Sequence, residues 1–280
     1  MDRSKGGGMP FLLPTFYEAS KVLSSTCSSL GLFSQGKPRF GWHQKSAGIK
    51  VKDKEGHSYW LRVSWHARYE NAWGELLKIK DSNKIRGLSK PFVEKAWLEP
   101  WKEGYEVGIL LTYISESVCS SQAMLEEDLV LSSVWISSLK AQLDALARVK
   151  TSHLSCTQNL FSRRLEERYG IRNSVIHRWT TGHGDLNWSN LTRRTPWILD
   201  WEGWGVGPQG LDIAFLYCYA LKFPETARQI RHSFEDWFLT RHGQLCVLFV
   251  GAELLRMIEI NGDHPSLEKP LYRLIESILY

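Results

Sequence analysis

No run of residues in this chain is long and apolar enough to cross a bilayer. The longest apolar stretch, Leu245 to Ala252, falls far short of the roughly 18 residues a spanning helix needs. The amino terminus, Met1 to Phe16, carries an apolar patch too short and too interrupted for a secretory signal. Cysteine is sparse. Cys27, Cys119, Cys156, Cys218 and Cys246 lie far apart and form no CxxC pair, which excludes a zinc knuckle and a redox dithiol. An odd number of scattered thiols is expected in the reducing cytoplasm. Like charges never run to five or six, and the pairs Arg163-Arg164 and Arg193-Arg194 stand alone. With 35 basic against 30 acidic side chains, the net charge of +5 makes no case for a nucleic-acid partner. Internal repeats and low-complexity tracts are also missing. A soluble cytoplasmic protein with neither a nucleic-acid nor a membrane partner is expected.

What is present suits a globular chain. A hydrophobic fraction of 43% and a charged fraction of 23% are ordinary, and 280 residues can bury a full core in two lobes. Residues 1–30 read as an extension, with a loose start around Gly6-Gly7-Gly8 and a short helix near Phe16 to Leu30. Alternation over Gly48–Lys52 and Ser58–Ser64, joined by the turn Asp53 to Gly56, predicts a β-hairpin. Tyr69 to Ile79 has a helical period, and strands are expected over 92–101 and 107–114. This β-β-α-β-β order describes a small antiparallel sheet carrying one helix. From about residue 125 the period becomes helical, at Trp135 to Leu146, Ala227 to Phe238, Leu254 to Ile258 and Leu271 to Ile278. Pro224 sits where a helix start tolerates proline. The expected organisation is a β lobe over 31–118 and a mainly helical lobe over 119–280, an α+β architecture. Thirteen tryptophans are unusual, and Trp188, Trp197, Trp201 and Trp204 crowd one window. Such a cluster reads first as core, with one or two rings walling a ligand pocket.

The chemistry concentrates in His183-Gly184-Asp185-Leu186-Asn187-Trp188-Ser189-Asn190, followed by Ile198-Leu199-Asp200-Trp201-Glu202. Between them, Leu191-Thr192, the turn at Arg193-Arg194-Thr195 and Trp197-Ile198-Leu199 can form a tight hairpin. That hairpin would place Asn190 and Asp200 side by side, offering hard oxygen ligands to Mg²⁺. Asp185 would lie across the loop, off the metal, able to accept a proton from a hydroxyl. One positioned carboxylate with an amide and a carboxylate on metal is the layout of phosphoryl transfer.

This segment resembles the catalytic loop of the aminoglycoside phosphotransferase and choline-kinase-like family, small-molecule relatives of the protein kinases. That family writes HGDLxxxN, an IDWE-like strand end, then a Gly-Pro pair and an Asp that begins a helix. Here Gly207-Pro208-Gln209-Gly210-Leu211-Asp212 fits the last part. The specific match spans residues 181–216, while the lobe order extends along the chain. The resemblance implies a bilobal protein-kinase-like fold with ATP, or GTP in its place, in the cleft. It implies Asp185 as catalytic base, Asn190 and Asp200 as Mg²⁺ ligands, and His183 and Asp212 as structural supports. In the first lobe it implies Arg62 as the phosphate-binding cation, paired with Glu70 or, as runner-up, Glu75. Ser46 falls in a phosphate flap, Gln44 to Gly48, that lacks the family's leading glycine. Thr112 and Ile114 fall where the hinge backbone meets adenine.

The implied reaction moves the γ-phosphoryl group to a hydroxyl of a small molecule such as an antibiotic, an amino alcohol or another metabolite. Acidic and basic residues nearly balance from Lys222 to Tyr280, which speaks against a strongly acidic wall for polycations. Two other readings stay open: a kinase of peptide Ser or Thr in natural-product maturation, and a nucleotide-binding pseudokinase scaffold. The acceptor and the oligomeric state are not legible.

Overall fold

The computed structural model describes residues 11–280, so the Gly6-Gly7-Gly8 stretch lies outside it. These residues fall into two compact units, residues 11–84 with Pro91–Ser115, and Ile85–Lys90 with Glu116–Tyr280.

The first unit opens with α1 (Phe16–Ser29), started by a capping box. The Thr15 hydroxyl accepts the Glu18 N–H at 3.2 Å, and the Glu18 carboxylate accepts the Thr15 N–H at 2.9 Å. Then come β1 (Phe33–Phe40), β2 (Ser46–Lys52), β3 (Ser58–His66), α2 (Tyr69–Ser82), β4 (Val93–Trp101) and β5 (Gly104–Thr112). They form one antiparallel sheet in the order β1-β2-β3-β5-β4. Side chains alternate across β3, so Leu61, Val63 and Trp65 pack with Ala19, Leu23 and Cys27 of α1. Val107 and Ile109 of β5 meet Ala72, Leu76 and Ile79 of α2 on the opposite face. One helix therefore covers each face of the sheet.

The structure corrects three expectations in this unit. The strand β1 was not anticipated, because Gly36 and Pro38 interrupt any alternation; it is an edge strand whose pairing with β2 shifts register between Gln35 and Arg39. The strand expected over 107–114 runs from Gly104 to Thr112, since Trp101 and Gly104 already pair across a two-residue turn. Residues 11–30 are not a separate extension either, because α1 packs into the sheet's core.

The second unit contains α3 (Ser133–Ala147), α4 (Gln158–Tyr169), β6 (Trp179–Gly182), β7 (Gly205–Pro208) and α5 (Leu211–Cys218). These are followed by α6 (Pro224–Ser233), α7 (Glu235–Phe238), α8 (Arg241–Asn261) and α9 (Glu268–Leu279). The middle of α8 is buried without interruption from Leu245 to Ala252, as expected of a helix packed on all sides. The short hairpin β6-β7 flanks the loop that carries the chemical motif. The helix α4 went unread in the sequence because its turn Arg163-Arg164-Leu165-Glu166-Glu167-Arg168 is mostly charge. Its ends are nevertheless marked, by Thr157 accepting the Leu160 N–H at 3.2 Å and by left-handed Gly170. The single helix expected through Ala227 to Phe238 is two, broken at Phe234 (φ −123°, ψ 29°), and Trp237 reaches the Gln209 carbonyl at 3.3 Å. All five cysteines are buried free thiols. No helix among the described residues is long and apolar enough to cross a membrane.

Phe161 of α4 is fully buried and stacks on Phe249 of α8, with ring centroids 4.7 Å apart and 14° between planes. Phe161→Ala should cost about 3–5 kcal/mol, the usual penalty for emptying such a site. Urea unfolding followed by circular dichroism measures it, and a loss under about 1 kcal/mol contradicts the packing described.

Candidate active site

The motif loop begins where β6 ends. Asp212, in the first turn of α5, holds it from below: its Oδ2 accepts the His183 N–H at 2.7 Å and its Oδ1 accepts the Gly184 N–H at 2.8 Å. His183 is buried, and its Nε2 donates to the Leu199 carbonyl at 2.8 Å, tying the loop to the strand-like segment before Asp200. Gly184 has φ 80°, and a Cβ there would lie 2.5 Å from the Gly203 carbonyl oxygen, so no larger residue fits. His183 and Asp212 thus tie the start of the loop to α5 and to the segment before Asp200.

Leu191 and Ile198 bridge, and the Leu199 N–H donates to the Asn190 carbonyl at 2.9 Å. The expected hairpin is therefore present, and it sets Asn190 beside the segment leading into Asp200. The Asn190 amide nitrogen donates to the Asp185 carbonyl at 2.9 Å and lies 3.5 Å from the Asp185 carboxylate. Asn187 fixes the turn between them by accepting from the Ser189 N–H at 3.0 Å and its hydroxyl at 2.7 Å. With its nitrogen committed to the loop, Asn190 keeps its amide oxygen as a donor atom for a cation. Asp200 has a left-handed φ of 61°, rare for a residue with a side chain and common at functional turns. An amide oxygen and a carboxylate are hard oxygen donors and fit Mg²⁺ chemically.

Asp185 is open to solvent yet densely surrounded by protein. That surrounding protein raises its pKa, His183 opposes the rise, and the charges of Asp200 and Asp212 add to it. The pKa of Asp212 is also raised by burial, partly offset by His183 and by the two backbone N–H groups it accepts.

The tryptophans near the loop are mainly core. Trp188, Trp201 and Trp204 are buried, and each of the first two uses its indole N–H internally, Trp188 to the Leu216 carbonyl at 3.0 Å and Trp201 to that of Ile198 at 2.8 Å.

In the first unit Arg62 pairs with Glu75 at 3.1 Å, which corrects the expected partner Glu70. Glu70 sits exposed in the first turn of α2, whereas Glu75 shares the sheet-facing side of the helix with Ala72, Leu76 and Ile79. Ser64 donates to Glu75 at 2.7 Å, and His66 Nε2 lies 2.8 Å from its other oxygen. Burial alone would raise the Glu75 pKa; Arg62, His66 and Ser64 together hold it well below the usual carboxylate range. Ser46 opens β2 at the base of a tight turn in which the Gly41 N–H donates to the Ser46 carbonyl at 2.9 Å. A Cβ on Gly41 would lie 2.2 Å from the Ser46 hydroxyl. The turn's tip, His43 and Gln44, takes left-handed φ values of 48° and 59°, a conformation glycine adopts at least cost. The Thr112 backbone N–H is committed to the Phe92 carbonyl at 2.9 Å, and its hydroxyl accepts the Phe92 N–H at 2.8 Å. Ile114 lies two residues beyond the end of β5 and is partly buried.

A five-stranded antiparallel sheet with its helix, followed by a mainly helical unit whose loop is clamped by an aspartate, is the protein-kinase-like fold. Solved structures agree. An amicoumacin kinase in complex with AMP-PNP, Ca²⁺ and Ami matches with a TM-score of 0.59 and 12% identity over 94% of this chain and 93% of the other. A candidate fructosamine-3-kinase from Haemophilus somnus matches with a TM-score of 0.56 and 12% identity over 95% and 99%. The macrolide 2′-phosphotransferase of Brachybacterium faecium matches with a TM-score of 0.54 and 13% identity over 91% and 98%. No protein-family model matches the sequence, and no curated protein matches it.

The Glu75 cluster carries a pH signature. A carboxylate whose folded pKa is depressed contributes stability that is complete above its unfolded value of about 4.5 and lost as pH falls through the lower folded value. Glu75→Gln should therefore be less stable than wild type at pH 7, with the difference shrinking between pH 4.5 and 2. Denaturant midpoints taken across that range test this, and parallel pH profiles for the two proteins contradict it.

Proposed function

We propose that this protein is a Mg²⁺-assisted phosphotransferase that moves the γ-phosphoryl group of ATP, or of GTP, to a hydroxyl of a small molecule. One observation carries the reading: Asp185, Asn190 and the Asp200 turn are brought to one place by a loop hung on Asp212. The fold likeness supports it, since the matched structures bear the names of kinases and phosphotransferases of small molecules, one with a nucleotide analogue and a divalent cation.

Asp185 accepts the proton of the acceptor hydroxyl on a carboxylate oxygen. The acceptor oxygen forms its bond to phosphorus as the bond to the nucleoside diphosphate breaks, and the diphosphate leaves. The raised pKa of Asp185 suits a group that must take up a proton and give it back. The Asn190 amide oxygen and the Asp200 carboxylate would hold Mg²⁺, which when bound offsets the charge on the phosphate oxygens. His183 and Asp212 orient the loop without touching substrate. Arg62, steered by Glu75, presents a fork of donors suited to phosphate oxygens. Ser46 and the flap before it, and the backbone at Thr112 and Ile114, complete the nucleotide contacts in this reading. Five buried free thiols favour a reducing, cytoplasmic setting. Retention of Asp185, Asn190 and Asp200 together weighs against a scaffold without activity.

ADP release across a panel of small hydroxyl compounds tests the reading. Asp185→Asn should bind nucleotide normally and turn over about 10²–10⁴-fold more slowly, the usual share of a positioned base. Full activity in that variant removes Asp185 from the base role. Asp200→Ala should instead weaken nucleotide binding only when Mg²⁺ is present, and unchanged metal dependence contradicts its assignment as a ligand.

A further inference from the structure

Helices α5 to α9 leave a cavity of about 320 Å³ between them, and no residue of the motif loop lines it. That volume is at the lower end of the range for ligand pockets, so the space suits a small molecule. Its walls divide by chemistry. Phe238 of α7, Leu239 just beyond it and Val247 of α8 make an apolar side, and α9 closes the space. Tyr217 of α5, Arg231 of α6 and Gln244 of α8 bring polar groups to the same space.

Arg231 is the charged member. Its guanidinium lies 5.6 Å from the centroid of the Phe238 ring and hydrogen-bonds the Tyr217 hydroxyl. Tyr217 meets the same ring edge-on, with centroids 4.9 Å apart at 63°. Ring and phenol thus hold the guanidinium at the cavity wall without neutralising it. Among the described residues no carboxylate pairs with Arg231. Glu225 pairs with Arg228 instead, and Glu235, one turn beyond Arg231, lies 3.9 Å from His232. A guanidinium carries five N–H donors, more than one hydroxyl can engage. The side-chain amide of Gln244 makes no hydrogen bond among the described residues either.

We propose that this cavity is a binding site for a small carboxylate with an apolar body, its head on Arg231 and Gln244 and its body along Phe238 and Val247. The chemistry of the walls selects that class. A planar fork of N–H donors matches the two oxygens of a carboxylate, and an amide N–H adds a further donor. The apolar side gains by covering a hydrocarbon body from water. The site does not depend on the phosphotransferase reading. Its wall is nevertheless joined to the motif loop, because the carbonyl of Leu216, the residue before Tyr217, accepts the Trp188 N–H at 3.0 Å.

Calorimetric titration of the full chain with octanoate at neutral pH tests this, with octanol and octylamine as probes of equal length. Octanoate should bind one-to-one and at least about 10-fold more tightly than octanol, the usual gain from hydrogen bonds to a charged group. Octylamine, a cation at that pH, should bind no better than octanol. Arg231→Gln should remove the preference for octanoate and leave octanol as it was. Arg231→Lys, which keeps the charge and loses the fork, should retain part of the preference. Leu239→Glu sets a carboxylate at the exposed edge of the cavity and should weaken octanoate at least about 10-fold.

Equal affinity for octanoate and octanol marks a merely apolar groove and overturns the proposal. An octanoate affinity unchanged in Arg231→Gln overturns it too. Should that variant not fold, an unchanged affinity in Leu239→Glu does the same, as does the absence of saturable octanoate binding at millimolar concentration in wild type. None of these titrations reads nucleotide binding or phosphoryl transfer, so their failure leaves the proposed function standing.

Discussion

A single buried carboxylate organises the centre of this protein. Asp212 accepts two consecutive backbone N–H groups, from His183 and Gly184, and so closes the start of the motif loop onto the first turn of α5. The aspartate is buried in the core, where an unmatched acceptor would be costly, and its two partners would be equally costly if left open. With that clamp made, His183 can reach only the Leu199 carbonyl, Gly184 must take a left-handed turn under Gly203, and Asp185 emerges toward solvent. The hairpin of residues 191–198 then returns the chain so that Asn190 bonds back to Asp185 while Leu199 bonds to Asn190. Each step leaves little freedom to the next.

The first unit is organised by a comparable node, again a carboxylate. Arg62 and His66 converge with Ser64 on Glu75, so a buried carboxylate is held by donors from one strand. A charge this well matched tolerates burial, whereas removing one partner strands the rest. The result is an arginine whose guanidinium is held in place by α2, in a sheet padded on both faces by helices. The glycine-poor flap supplies the backbone strain at His43 and Gln44 that a glycine would have removed.

How much of this was legible follows from the length scale of each signal. The hairpin between the two motif segments was readable because its turn and flanking residues are local, whereas Asp212 was singled out only by the family resemblance and the left-handed backbone of Asp200 was not foreseen. The β2-β3 hairpin was readable because alternation and the Asp53–Gly56 turn are local as well. The edge strand β1 was not, because its pairing with β2 is not written into a sequence containing Gly36 and Pro38. The partner of Arg62 is the runner-up, Glu75, rather than Glu70, and helical phase separates the two. Residues 72, 76 and 79 mark the buried side of α2, and Glu75 falls on it where Glu70 does not.

The central claim, that of the proposed function, is that this protein binds a nucleoside triphosphate together with a metal held by Asn190 and Asp200. Calorimetric titration of the full chain with a non-hydrolysable ATP analogue, with and without Mg²⁺, tests it most directly. The account predicts saturable one-to-one binding that tightens at least about tenfold with Mg²⁺, a gain of roughly 1.4 kcal/mol. Binding of equal strength in the presence of excess chelator, or no binding under either condition, contradicts it.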